Sequence, residues 1–199
     1  MYFAKYFSKN RSYTRPYLMV TMKMVNHYFF AMLGVRKGGA ERMFGFSKKH
    51  IIIMSPMDGE VVPITELSDP VFSGEILGRG IAIMPDSECV KAPAKAVVNQ
   101  MFDTGHAVSL LTDSGVELLI HVGIDTVNLK GNHYTIHKSN DESVDTGDVL
   151  MEFDADAISA QGYDTVTPVV VCNPYAFRDI YFASEGYIKA GEPLIALKA

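Results

Sequence analysis

Cysteine is scarce in this 199-residue chain: Cys89 and Cys172 are the only two, and no CxxC spacing joins them. That argues against a disulfide-stapled secreted domain, and a reducing cytoplasm is the compartment expected. Both thiols read as small buried hydrophobes rather than catalytic nucleophiles. The usual zinc signatures are missing as well, since there is no HExxH and no His-x-His. No Walker loop and no kinase glycine loop is present, which argues against ATP as a phosphoryl donor. A clean membrane span is also lacking. Residues 17–35 are mostly apolar but are interrupted by Lys23, Asn26 and His27. A central lysine alone costs about 2.5–3.5 kcal/mol on insertion scales, and no small-residue cleavage pattern follows.

Only one end of the chain carries a net positive balance. Residues 1–42 hold eight Lys/Arg against one Glu, about +7, whereas residues 43–199 hold ten against 22 acids, a balance of −12. An acidic main domain argues against nucleic acid, because phosphate backbones recruit clustered Lys and Arg. Basic proteins or small molecules are the partners such a surface favours. Residues 1–42 are expected to be a poorly structured extension or the product of a mis-assigned start. Lys37-Gly38-Gly39 can be encoded as a ribosome-binding sequence a short distance before Met43, which makes Met43 a natural first residue. The rival reading of this basic stretch is a weak peripheral membrane anchor.

From Ile51 onward the chain alternates short apolar runs with Gly, Pro, Asp and Asn. Runs at 51–54, 61–64, 80–84, 97–102, 149–153 and 169–172 have the length and spacing of strands. The fold class expected for residues 43–199 is all-β, an antiparallel sandwich or barrel-like domain with at most short helices. One short helix is expected over residues 154–161. Two internal echoes suggest pseudo-symmetry. Ser55-Pro-Met-Asp-Gly-Glu-Val-Val62 resembles Ala92-Pro-Ala-Lys-Ala-Val-Val-Asn99, and Val144-Asp-Thr-Gly-Asp-Val-Leu150 resembles Ile188-Lys-Ala-Gly-Glu-Pro-Leu194.

Six histidines are present, and two of them are placed informatively. His106 and His121 flank Thr112-Asp113-Ser114-Gly115, which is turn chemistry. If the turn centres between Asp113 and Ser114, the two histidines become direct cross-strand partners, with Cβ atoms about 4.5–5.5 Å apart. His133 and His137 lie in the polar stretch 131–143 and read as solvated.

Paired imidazoles suit metal or phosphoryl chemistry. Catalytic zinc usually has three protein ligands, so a third would have to come from Asp69, Asp125 or another molecule. No resident cofactor is expected, although zinc on His106 and His121 could be completed by a partner. A neutral imidazole can instead attack phosphorus directly through its lone pair. The second imidazole can then steady the phosphoryl oxygens, and the Thr104 hydroxyl can orient one ring.

The segment Leu118-Leu-Ile-His121-Val-Gly-Ile-Asp-Thr-Val127 closely resembles the phosphorylation motif of glucose-type enzyme IIA, a component of the bacterial phosphoenolpyruvate-dependent sugar phosphotransferase system. Further matches follow in the family's order from about residue 51 to 197. They are Ser55-Pro-Met-Asp-Gly-Glu, Asp69-Pro-Val-Phe72, Gly80-Ile-Ala-Ile, Phe102-Asp-Thr-Gly-His106-Ala, Ser114-Gly-Val-Glu-Leu118 and Thr167-Pro-Val-Val170. The resemblance implies a β-sandwich phosphocarrier in which His121 accepts a phosphoryl group from HPr. The group would then pass to a cysteine on the IIB domain of a glucose-family sugar permease. It also implies that His106 contacts the phosphoryl group, that Thr104 joins that hydrogen-bond network, and that Phe72, Asp69, Asp125 and Val127 form a partner-binding rim. Arg79 stands where the family usually has an acid, which could alter partner choice near that rim. Leu119 replaces a frequent Phe.

Two other function classes remain open at this point. One is a regulatory binding protein whose phosphorylation state controls transporters or metabolic enzymes. The other is a zinc hydrolase of related β architecture.

Overall fold

The computed structural model describes residues 50–199. The expectations for residues 1–42, and for a start at Met43, lie outside that range. Strand β1 is His50–Met54, β2 Gly59–Val62, β3 Arg79–Pro85, β4 Cys89–Lys91, β5 Ala96–Met101, β6 Ala107–Thr112 and β7 Glu117–His121. They are followed by β8 Tyr134–Ile136, β9 Ser143–Val144, β10 Val149–Phe153, β11 Thr167–Val171, β12 Asp179–Phe182, β13 Gly186–Ile188 and β14 Pro193–Lys198. Two short helices interrupt them, α1 at Pro70–Ser73 and α2 at Ala155–Ala160.

The strands form one eight-stranded sheet in the order β13-β2-β3-β11-β7-β6-β5-β9 and two three-stranded sheets, β1-β14-β12 and β4-β10-β8. Every pairing with a resolved register is antiparallel. This is the antiparallel β-sandwich that the short, turn-bounded apolar runs predict.

Strand side chains alternate between faces, and the large sheet uses the alternation to build two cores. Ile81, Ile83, Val108, Leu110, Leu118, Ile120, Val169 and Val171 point to the main core, shared with Leu150, Met151, Ile195 and Leu197 of the small sheets. Full burial of one such side chain stabilises the fold by about 1.5–3 kcal/mol. Ala82 and Val170, one residue out of phase, face the other way. They join Ile64, Phe72, Ile124 and Val166 in a smaller cluster, with Leu119 packed against it. His121 follows Leu119 by two positions and therefore belongs to this second face.

The internal echoes make matching contacts. Ser55 N–H donates to the Glu192 carbonyl at 2.7 Å and Ala92 N–H to that of Asp148 at 2.8 Å. Gly191 N–H returns to Ser55 and Gly147 N–H to Ala92, both at 2.9 Å. The order of the large sheet is symmetric in the same sense, with β2–β13 answering β5–β9 about the β11–β7 junction.

Asp154 caps α2 by accepting from Ala157 N–H, and Gln161 closes it, so the expected helix over 154–161 is present. The α1 helix has no periodicity to reveal it at four residues. Its signal is the Asp69-Pro70 pair, a cap followed by proline at the first helical position. The expectation of two buried cysteines is corrected: Cys172 is exposed and Cys89 half-buried. Cys172 follows the last residue of β11, and its N–H donates to the Glu117 carbonyl. Partial desolvation by neighbouring groups raises both thiol pKa values, with the Glu117 carboxylate adding to the effect at Cys172, so neither is poised as a thiolate.

Candidate functional site

The hairpin between the two histidines is one residue longer at its tip than an even turn. Gly115 takes a left-handed φ of 79° and its N–H donates to the Thr112 carbonyl at 2.9 Å, while Val116 N–H donates to Thr112 Oγ1. This is a three-residue loop, Asp113-Ser114-Gly115, of the type I plus glycine-bulge kind. The register therefore pairs Ala107, not His106, with His121. A slip of one residue would place the two side chains on opposite faces of a regular pleat.

The rings nevertheless meet because the ladder ends there. Gly105, with φ 65°, precedes His106, and Gly123, with φ 78°, follows His121. The His106 carbonyl still accepts from Val122 N–H at 2.7 Å, which ties the two irregular segments together. The imidazole centroids lie 4.8 Å apart with the rings inclined at 79°.

Each ring has its own polar anchor and its own aromatic wall. His121 Nδ1 lies 2.7 Å from the Gly123 carbonyl oxygen. A carbonyl only accepts, so Nδ1 carries the proton and the lone pair is left on Nε2. His106 Nδ1 contacts Thr104 Oγ1 at 2.5 Å, and a hydroxyl proton donated there places the His106 proton on Nε2. Phe72 meets His121 edge to face at 5.3 Å, and Phe102 meets His106 in the same manner at 5.4 Å.

Burial controls the charge of the pair. It pushes His106 down to about 4, and the neighbouring His121 adds to the effect. Burial lowers His121 as well, opposed by the Gly123 carbonyl and by the carboxylates of Asp69 and Asp125. Both rings are therefore neutral at pH 7, and the His121 Nε2 lone pair is free to react.

The residues placed around the pair do structural work. Asp69 caps α1 by accepting from Val71 N–H at 2.7 Å, which turns Phe72 into the small cluster beside His121. Asp125, with φ 59°, heads a short 3-10 turn at Thr126–Leu129. Val127 on that turn is exposed, as are Val71, Ile76 and Leu77 on and after α1. The segments flanking His121 thus carry apolar side chains in water, a composition suited to a protein partner. Arg79 departs from the expectation placed on it. It is three residues from Ala82 and so alternates onto the other face, where its guanidinium lies 5.6 Å over the Phe182 ring.

Residues without an assigned role also shape the site. Phe102 and Thr126 stand within matched motifs, but nothing in their spacing marks a contact with either histidine. Tyr134 lies in the same polar stretch as His133 and His137, yet its hydroxyl donates to the Val122 carbonyl at 3.1 Å. Of the two histidines in that stretch, His137 is exposed and paired with Glu152, while His133 is half-buried beside Gln161. A concavity of about 510 Å³ lined by Glu88, Cys89, His133, Glu152 and Asp154 excludes both site histidines. Glu88 and Asp154 there already accept from the backbone of α2.

Among the described residues, no group of three or more His, Cys, Asp and Glu side chains is arranged to hold a metal ion. Neither Asp69 nor Asp125 completes a cluster with the two imidazoles.

Comparison with known proteins gives a consistent result. Residues 51–177 match the family model described as phosphoenolpyruvate-dependent sugar phosphotransferase system, EIIA 1. The chain is 47% identical over 128 residues to a mannose-specific EIIBCA component from Corynebacterium glutamicum, covering 64% of this chain and 19% of that protein. It is 37% identical over 172 residues to a beta-glucoside-specific EIIBCA component from Bacillus subtilis, covering 85% and 28%. The chain therefore spans less than a third of the length of these curated relatives. A solved structure, glucose permease IIA from Mycoplasma capricolum, superimposes with a TM-score of 0.71 at 30% identity, over 78% of this chain and all of that one.

Proposed function

This chain belongs to the EIIA 1 family of the phosphoenolpyruvate-dependent sugar phosphotransferase system, and we propose that it carries a phosphoryl group on His121 Nε2. The observation that supports this most is the Gly123 carbonyl on His121 Nδ1, which leaves a neutral ring with its lone pair on the other nitrogen. Nε2 attacks the phosphorus of phospho-HPr. The new N–P bond forms as the old one breaks, and the donor imidazole regains its lone pair. The thiolate of a IIB cysteine then attacks the same phosphorus, forming S–P and releasing His121. The net result is phosphoryl transport coupled to sugar uptake in the cytoplasm.

His106 serves this sequence as a neutral donor. With Thr104 on its Nδ1, its Nε2–H is directed to the phosphoryl oxygens, and a charge-assisted bond of that kind contributes about 1.5–3 kcal/mol. The acidic domain suits docking on a basic HPr face, where complementary charge speeds encounter. Phe72, Asp69, Asp125 and Val127 are the proposed rim, and transporters or metabolic enzymes that sense the phosphorylation state would meet it too. A zinc ion would find two imidazoles here and would need its remaining ligands from such a partner. The relatives are named for different sugars, so EIIA likeness selects none of them.

The test is phosphorylation by enzyme I, HPr and phosphoenolpyruvate. His121→Ala is expected to take no label. His106→Ala is expected to accept label and to donate it poorly to IIB. Equal labelling of both variants would refute this division of roles.

A further inference from the structure

Gly123 supplies the oxygen that fixes the His121 ring, and glycine in the left-handed region holds its conformation only if its neighbours impose it. They impose it at three consecutive peptide groups. Val122 N–H donates to the His106 carbonyl at 2.7 Å, and Ile124 N–H donates to that of Asp164 at 2.9 Å. Between them, the Val122 carbonyl accepts from two hydroxyls, Thr126 Oγ1 at 2.6 Å and Tyr134 Oη at 3.1 Å. A carbonyl oxygen has two lone pairs, so this one is saturated.

Neither hydroxyl is there by accident of exposure. Thr126 is fully buried, and its Cγ2 sits 2.5 Å from where a Cβ on Gly123 would be. Tyr134 reaches the other histidine's loop as well, because its Cβ lies 2.8 Å from the Cβ position that Gly105 leaves empty. Burial raises the Tyr134 phenol, which keeps it protonated and a donor at neutral pH. One side chain thus touches the backbone before His106 and the backbone after His121.

We propose that Thr126 and Tyr134 are positioning residues for phosphoryl transfer: their hydroxyls clamp the Val122 carbonyl, and the clamp keeps the Gly123 oxygen on His121 Nδ1 so that Nε2 alone is free. The inference rests on His121 being the phosphoacceptor. Neither residue touches the phosphoryl group; both act through the turn that selects the imidazole tautomer.

The test uses the full 199-residue chain and four variants, Thr126→Val, Thr126→Ser, Tyr134→Phe and the Val/Phe double. Long-range 1H–15N NMR reads which His121 nitrogen carries the proton, without any phosphoryl donor. Single-turnover phosphorylation by phospho-HPr reads the rate and the half-saturating concentration separately. Thr126→Val and Tyr134→Phe should each populate both His121 tautomers and slow transfer roughly tenfold, with the double variant slower by about a hundredfold. The half-saturating concentration should stay unchanged, and Thr126→Ser should restore both tautomer and rate.

A wild-type tautomer and rate in Thr126→Val and Tyr134→Phe would overturn the clamp. So would a Ser variant as impaired as the Val variant, since that outcome assigns the effect to the methyl group. If Thr126→Val does not fold, Tyr134→Phe decides alone. Wild-type chain that takes no label on His121 would instead refute the phosphoacceptor reading, and the tautomer measurement would still decide the clamp.

Discussion

Replacing Phe72 with alanine separates burial from charge as the cause of the neutral His121 ring. Phe72 is 5% exposed, packs with Ile64, Ala82, Ile124, Val166 and Val170, and meets His121 edge to face at 5.3 Å. Truncating a buried phenylalanine costs about 3–5 kcal/mol of fold stability, of which roughly 0.5–1.5 kcal/mol reflects the lost aromatic edge. A domain near the middle of the usual range of about 5–15 kcal/mol stays folded at 25 °C after that loss. The informative change is in the imidazole. Burial is the largest influence lowering its pKa, while the Gly123 carbonyl, Asp69 and Asp125 all act to raise it. Admitting water beside the ring removes part of the first and leaves the others, so the His121 pKa should rise. Each unit of rise corresponds to about 1.4 kcal/mol of differential stabilisation. Titrating the ring protons by NMR in wild type, Phe72→Ala and Phe72→Leu measures it. Alanine should shift the pKa upward, and leucine, which keeps most of the apolar volume, should shift it little. An unchanged or lower value in Phe72→Ala would refute the claim that Phe72 shields the ring.

Two further outcomes follow from the same geometry. His106 has a folded pKa of about 4 against 6.5 when unfolded, so between those values the unfolded chain binds more protons. Its contribution to stability is fully present above pH 6.5 and is lost as pH falls from about 6.5 to 4, a change of about 3 kcal/mol. Denaturant midpoints across that window should fall less steeply in His106→Gln, and parallel curves would contradict the assignment. Gly123→Ala should both destabilise the domain and abolish labelling. A Cβ there meets Thr126 Cγ2 at 2.5 Å and the Asp164 carbonyl at 2.6 Å, with φ at 78°. Gly147→Ala, at φ 96° with open space around it, should lose at most about 1–3 kcal/mol of stability and label at the wild-type rate.

Much of the architecture was legible because strands announce themselves locally. The run at 149–153 coincides with β10, and the echoed turns before Leu150 and Leu194 occupy matching places in the fold. The histidine pair was legible as a pair, since any tight turn at 112–115 brings residues 106 and 121 close. Its register was not, because whether Gly115 is a turn residue or a bulge depends on a backbone dihedral that the residue type permits but does not dictate. The ring tautomers were beyond reach for a similar reason. They depend on a carbonyl, and every residue has one. Tyr134 was hidden by its company, a lone aromatic in a polar run whose hydroxyl partner lies twelve residues back. Arg79 needed the strand phase, which fixes the face that a side chain takes only once the pairing is known.

The central claim is that phosphorus is carried on one atom, Nε2 of His121. Full-length chain phosphorylated by enzyme I, HPr and phosphoenolpyruvate can be examined by 31P and 15N NMR under alkaline conditions, where phosphohistidine survives. A single phosphohistidine at His121, substituted at Nε2, is the expected result. Phosphate on His121 Nδ1, or on His106, would contradict it.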